Sequence, residues 1–116
     1  MPLVLLATAA ADQEEDVGYN AMQVNYELLS EKIDPRDVLK SMFANKLISL
    51  EQKKKIKSIQ QQKGKGDACE EMLDTLLYNW KKGTCERFIQ VLDSCDYKDC
   101  AAELQSNALP YKLSFV

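Results

Sequence analysis

From Val17 to Leu104 apolar residues return every third or fourth position, and no stretch alternates residue by residue as a half-buried strand would. Tyr19, Met22, Tyr26, Leu29 and Ile33 share one side of a first helix. Val24 and Leu28 are apolar on another side, which predicts either two buried faces or a bend. Asp34-Pro35 marks a second start, because Asp caps well and the missing N–H of Pro costs nothing at the first helical position. That helix carries Val38, Leu39, Met42 and Phe43 inward. Ser49, with Gln52 three residues on, predicts a capping box and a third helix with Ile56 and Ile59 inward.

Gln60 to Gly66 breaks the period and brings two glycines, so it reads as a flexible loop. Asp67 and Glu70 then predict an N-cap pair for a fourth helix. Cys69, Met72, Leu73, Leu76, Leu77 and Trp80 form its apolar side, and Lys81-Lys82-Gly83 its end. Thr84 is the expected cap of a fifth helix carrying Cys85, Phe88, Val91, Leu92 and Cys95 inward. Asp96 is the expected cap of a sixth, with Tyr97, Cys100, Ala101 and Leu104 inward. Six helices of roughly 10–16 residues need one another to be stable, so the pattern predicts an all-α bundle. It spans 17–107, between an N-terminal arm (1–16) and a loose tail (108–116).

Composition narrows the chemistry. At 116 residues the chain suits one domain. Histidine is absent, which removes the commonest general base and metal ligand. Gly64-Lys65-Gly66 lacks phosphate-loop spacing, Glu14-Glu15 and Glu70-Glu71 are adjacent pairs that diverge, and no catalytic triad is available. The chain reads as a non-enzyme with no cofactor. Cys69, Cys85, Cys95 and Cys100 lack paired zinc spacing, and no basic residue precedes the apolar run Leu3-Val4-Leu5-Leu6 as a signal peptide requires. The expectation is therefore reduced, mostly buried thiols in a cytoplasmic protein. No apolar run approaches the roughly 18 residues of a membrane span, and no membrane insertion is expected. Ser114-Phe115-Val116 fits the pattern of a C-terminal ligand captured by strand addition.

The net charge of −3 hides a division: residues 1–34 carry −6, residues 35–66 carry +7 and residues 67–116 carry −4. Such a pattern concerns partners more than topology. The six lysines between Lys53 and Lys65 raise nucleic-acid binding, but no aromatic interleaves them, so no nucleic acid is expected as partner.

The run Ile33-Asp34-Pro35-Arg36-Asp37-Val38-Leu39, then Leu47-Ile48-Ser49-Leu50-Glu51 ahead of a charged third helix, come first in a series. Ile56, Met72 to Leu77, Phe88-Ile89 with Leu92, and Ala101 with Leu104 follow in order. With that series, Tyr26 to Leu104 resembles a caspase recruitment domain, of the six-helix death-fold superfamily. Arg36-Asp37-Val38-Leu39 with Asn79-Trp80 is similar to the tandem domains of antiviral RNA-sensing helicases. Tyr97-Lys98-Asp99 with Ala101-Ala102 is similar to the apoptosome adaptor that recruits an initiator caspase.

The resemblance implies an antiparallel Greek-key bundle with a bent first helix. It implies binding to itself and to other caspase recruitment domains, as an oligomerising module of apoptosis or innate immunity or as a regulator that caps or seeds such assemblies. A common contact in the family sets the first and fourth helices of one subunit against the second and third of the next. On that scheme Glu27, Glu31, Glu70, Glu71 and Asp74 form an acidic patch, and Arg36, Lys40, Lys53, Lys54 and Lys57 a basic one. Their signs are the reverse of many members, and a self-complementary, head-to-tail contact follows as the expectation.

Overall fold

The first predicted helix is two in the computed structural model, which describes residues 17–108. Helix α1 (17–24) and α2 (Tyr26–Lys32) are parted at Asn25. The Asn25 carboxamide donates to the Ala21 carbonyl at 2.8 Å and to Asn107 Oδ1 at 2.8 Å, so a buried polar side chain ties the break to the last described helix. This is the expected bend. It replaces a second buried face, since Val24 is exposed.

Helix α3 (Pro35–Ala44) starts as predicted, with the Asp34 carboxylate accepting from the Arg36 amide at 3.0 Å. Helix α4 (Leu50–Lys63) has both bonds of its capping box. The expected loop at Gln60–Gly66 is instead helical on both sides of Gly64, which alone separates α4 from α5 (Lys65–Tyr78) at a φ of 101°. Gln and Lys are good helix formers, and Gln60 is held by Asp34, so the polar run extends α4 rather than ending it.

Four predicted helix ends also move. Gly64 caps α5, leaving Asp67 in the first turn, where its charge favours the positive end of the helix dipole. Helix α5 stops at Tyr78, short of Lys81-Lys82-Gly83, because Asn79 turns away to donate to the Leu47 carbonyl (3.0 Å) and Gln52 Oε1 (2.9 Å). Gly83, at a φ of 88°, caps α6 (Thr84–Ser94), and the Thr84 hydroxyl accepts from the Lys81 amide at 3.0 Å. Asp96 takes a φ of 69° in the turn before α7 (Lys98–Ala108). There the Tyr97 carbonyl accepts the first bond, from the Ala101 amide.

Helix α5 packs on α2, α3 and α4; α3 packs on α4, α5 and α6; α7 closes against α2 and α6. Among the described residues there is no strand. Leu29, Ile33, Val38, Leu39, Met42 and Ile56 are buried between them with Met72, Leu73, Leu76, Phe88, Leu92 and Leu104. Tyr26, Ile59, Leu77 and Trp80 are half-buried at its margin. Phe43 departs from the prediction and is 40% exposed. It lies at the edge of the α3 stripe centred on Val38, Leu39 and Met42, and its ring instead carries Lys53 Nζ, 5.5 Å from the centroid. Cys69, Cys95 and Cys100 are free thiols; Cys69 and Cys100 are buried, and burial pushes the Cys69 thiol up to about 12. Ala108, the first residue of the expected tail, ends α7; the rest of the tail, including Ser114-Phe115-Val116, and the expected N-terminal arm lie outside the described residues.

Two contacts fix the ends of the bundle and make predictions. A Cβ on Gly18 would stand 2.9 Å from Cys85 Cβ and 3.2 Å from Trp80 Cζ2, while Tyr19 meets Trp80 edge-on at 5.6 Å. Gly18→Ala is therefore expected to lift α1, costing about 1–3 kcal/mol of stability. Trp80 is the one tryptophan, so denaturant unfolding followed by its emission reads both the loss and the exposure of the ring.

At the other contact the Tyr97 hydroxyl donates to Asp37 Oδ2 at 2.6 Å and accepts from the Asp34 amide at 3.0 Å. Burial, then the bond to Asp37, raise its pKa from 10.0 to about 12. A phenol raised on folding stabilises fully below its unfolded value and loses that contribution as pH rises towards its folded value. The stability difference between the parent and Tyr97→Phe should thus be constant up to about pH 10 and shrink between there and about pH 12. A difference that stays flat through that window would refute the contact.

Candidate protein-interaction faces

Glu27 and Glu31 project from α2, and Glu70 and Asp74 from α5; all four are exposed. Spacings of four place each pair one turn apart. Tyr26 joins the two helices: its hydroxyl donates to Asp74 Oδ1 at 2.7 Å and lies 3.5 Å from the Glu70 carbonyl. Burial, then the Asp74 carboxylate, raise this phenol above its ordinary value, so it remains a donor. The two exposed acid pairs thus stand on helices that Tyr26 links. Glu71 does not join them, because it faces α4 and pairs with Lys55 at 3.3 Å.

The basic residues lie across that seam. Helices α3 and α4 run antiparallel, joined at one end by Gln60 Nε2 donating to Asp34 Oδ1 (2.8 Å) and at the other by Lys53 over Phe43. Lys40 on α3 and Lys57 on α4 fall between these two links. Lys40, Lys54 and Lys57 are exposed, and Lys53 is half-buried against the ring.

Arg36 is separate in character. Its guanidinium folds back on Asp34, with Nη2 to Oδ2 at 2.7 Å and Nε 3.2 Å from Oδ1. Arg36 and Gln60 hold the Asp34 carboxyl well below the usual carboxylate range. The charge of Arg36 is therefore offset within its own turn, and its role here is to close the cap of α3.

The ten residues of the two predicted patches reduce to four against four. Glu27, Glu31, Glu70 and Asp74 are carried by α2 and α5, and Lys40, Lys53, Lys54 and Lys57 by α3 and α4; Lys55–Glu71 marks the seam between α4 and α5. Helical spacing alone puts Glu70 and Glu71 on the same polar side of α5. The neighbours on either side of that helix separate them, and periodicity carries no signal for neighbours.

The model of the caspase recruitment domain family matches residues 15–108. The chain belongs to that family. Caspase recruitment domains are a family of protein-interaction domains rather than enzymes, and their interactions are homotypic. The bent first helix and the all-helical bundle of this caspase recruitment domain lie within the matched span. Neither a curated protein nor a solved structure matches the chain. Among the described residues of this caspase recruitment domain, no three His, Cys, Asp or Glu side chains are grouped to hold a metal ion, and no helix is long and apolar enough to cross a membrane.

Proposed function

We propose that this caspase recruitment domain assembles head to tail in the cytoplasm, setting the α2/α5 acids of one copy against the α3/α4 lysines of the next. In that form it clusters signalling proteins of apoptosis or innate immunity that carry the same domain. The observation that carries the reading is the placement of four exposed acids on one helix pair and four lysines on another, with the charges at the seam paired. A contact between unlike surfaces leaves each new copy with both faces free, so it propagates instead of closing as a dimer.

Exposed charges are screened over about 8–10 Å at physiological ionic strength, so assembly should be strongest at low salt. Light scattering of the purified chain across a salt series tests this. Lys54→Glu replaces one attraction by a repulsion, worth about 0.5–1.5 kcal/mol at an exposed site, and should raise the assembly concentration roughly three- to tenfold at low salt. Assembly at an unchanged concentration would sink the proposal.

A further inference from the structure

Four large apolar side chains are exposed among the described residues, and three of them, Phe43, Leu50 and Tyr78, stand at one end of the bundle. Phe43 lines a groove of about 690 Å³ at the α3–α4 turn, and Leu50, 48% exposed, follows Ser49, which lines it too. Asn79 lines the same groove, held there by the Leu47 carbonyl and Gln52 Oε1. The residue before it, Tyr78, is 87% exposed, so its ring covers neither Phe43 nor Leu50 of its own chain.

Tyr78 and Leu50 each end a charged stripe. On α5, Glu70, Asp74 and Tyr78 follow at intervals of four, and all three are exposed. On α4, Leu50, Lys54 and Lys57 follow at four and three, and all three are exposed. The stripes match when one is read against the other. At about 1.5 Å per residue, Tyr78 to Asp74 and Leu50 to Lys54 both span about 6 Å, and Asp74 to Glu70 exceeds Lys54 to Lys57 by only about 1.5 Å. An antiparallel contact between α5 of one copy and α4 of another therefore sets Tyr78 on Leu50, Asp74 on Lys54 and Glu70 on Lys57 together. A slip of one turn either way leaves one complementary rung of the three.

The surroundings suit this register. Lys53, one turn after Leu50, rests its ammonium 5.5 Å from the centre of the Phe43 ring, which brings that ring to the same end of the stripe. Asp74 keeps an oxygen for a second partner, because the Tyr26 hydroxyl takes Oδ1. We propose that copies of this chain dock through Tyr78, whose ring packs on Leu50 and Phe43 of the next copy and fixes the register of the acid–lysine pairs. The inference rests on the acid-against-lysine contact proposed above and adds to it an apolar anchor that salt does not screen. Exposed ion pairs contribute little each, whereas a tyrosine buried at the centre of a contact is among the residues on which binding depends most.

Cross-linking of two singly substituted chains, Leu50→Cys and Tyr78→Cys, tests the register. Both positions are exposed, so neither substitution opens the core. Each chain carries one new thiol, so a link between positions 50 and 78 joins separate copies. With the equimolar mixture oxidised by glutathione disulfide at low salt and mapped by mass spectrometry, that link is expected roughly tenfold above either link between like positions, because docking raises the local concentration of the matched pair. Links in the proportions of random encounter would overturn the proposal. Tyr78→Ser supplies a second measurement: the assembly concentration should rise roughly tenfold, by the same factor across the salt series, while the effect of Lys54→Glu fades as salt rises. A Tyr78→Ser chain that assembles like the parent would also overturn it. If Lys54→Glu disrupts assembly and the 50-to-78 link is absent, the head-to-tail reading stands and this register falls. If the link forms in a species that stops at two copies, the register stands and the head-to-tail reading falls.

Discussion

A chain carrying Lys53→Glu, Lys54→Glu and Lys57→Glu is expected to lose self-assembly, and to regain it when mixed with a chain carrying Glu27→Lys, Glu31→Lys and Glu70→Lys. Each variant alone has two faces of one sign and repels its own copies. Together they alternate, since every junction then sets acids against lysines. An exposed charge pair contributes about 0.2–1 kcal/mol, and reversal adds a repulsion of similar size. Three reversals at one junction amount to roughly 2–4 kcal/mol, a factor of about 30–1,000 in affinity. The same penalty recurs at every junction of a propagating assembly. Sedimentation velocity at low salt on each variant and on the equimolar mixture reads the outcome. Assembly of the lysine-reversed chain by itself at the parent's concentration would show that these faces are only solvated surfaces.

The second large effect is on stability. Asp34→Ala should cost about 2–4 kcal/mol, out of proportion to one polar residue near the surface. Its carboxylate caps α3, receives the Arg36 guanidinium and accepts from Gln60. The Arg36 pair contributes little of the total, because the guanidinium is largely exposed. The cap is worth about 1 kcal/mol. The rest comes from Gln60, whose buried Oε1 has no partner among the described residues and whose Nε2 would then lose its acceptor as well, at about 1–3 kcal/mol.

Asp34→Ser keeps a capping oxygen and should recover roughly the 1 kcal/mol of the cap. The carboxyl is depressed on folding, so its contribution is present above the ordinary carboxylate value of about 3.9 and is lost as pH falls below it. Urea unfolding at neutral pH and near pH 3 should therefore show a smaller acid loss for Asp34→Ala than for the parent. Equal acid losses would mean that Asp34 is not the hub described.

Local signals in the sequence were sufficient wherever the structure used local bonds. Asp34-Pro35 and Ser49 with Gln52 start their helices as predicted, because cap and capped amide lie within three residues of each other. The failures are tertiary. Gln60 to Lys63 stays helical because Asp34, the cap of another helix, holds Gln60. Helix α5 ends early because Asn79 is drawn to the α3–α4 turn. Leu47 and Ile48 are buried in that turn, where helical periodicity cannot mark them.

The same limit applies to the candidate faces. Their charges and helices were legible in the sequence, but the withdrawal of Glu71 to Lys55 and of Arg36 to Asp34 depends on which helices are neighbours. The groove at the α3–α4 turn left no local trace, because its walls come from two turns far apart in the chain.

Gly64 has a mechanical consequence. With one residue between them, and with Lys55 pinned to Glu71 further along, α4 and α5 form a stiff lever with little freedom to splay. That lever carries three of the four lysines on one arm and two of the four carboxylates on the other. In the head-to-tail arrangement proposed above, the angle between the incoming and outgoing faces sets the rotation from one subunit to the next. The pitch of the assembly would then be written into a single glycine junction.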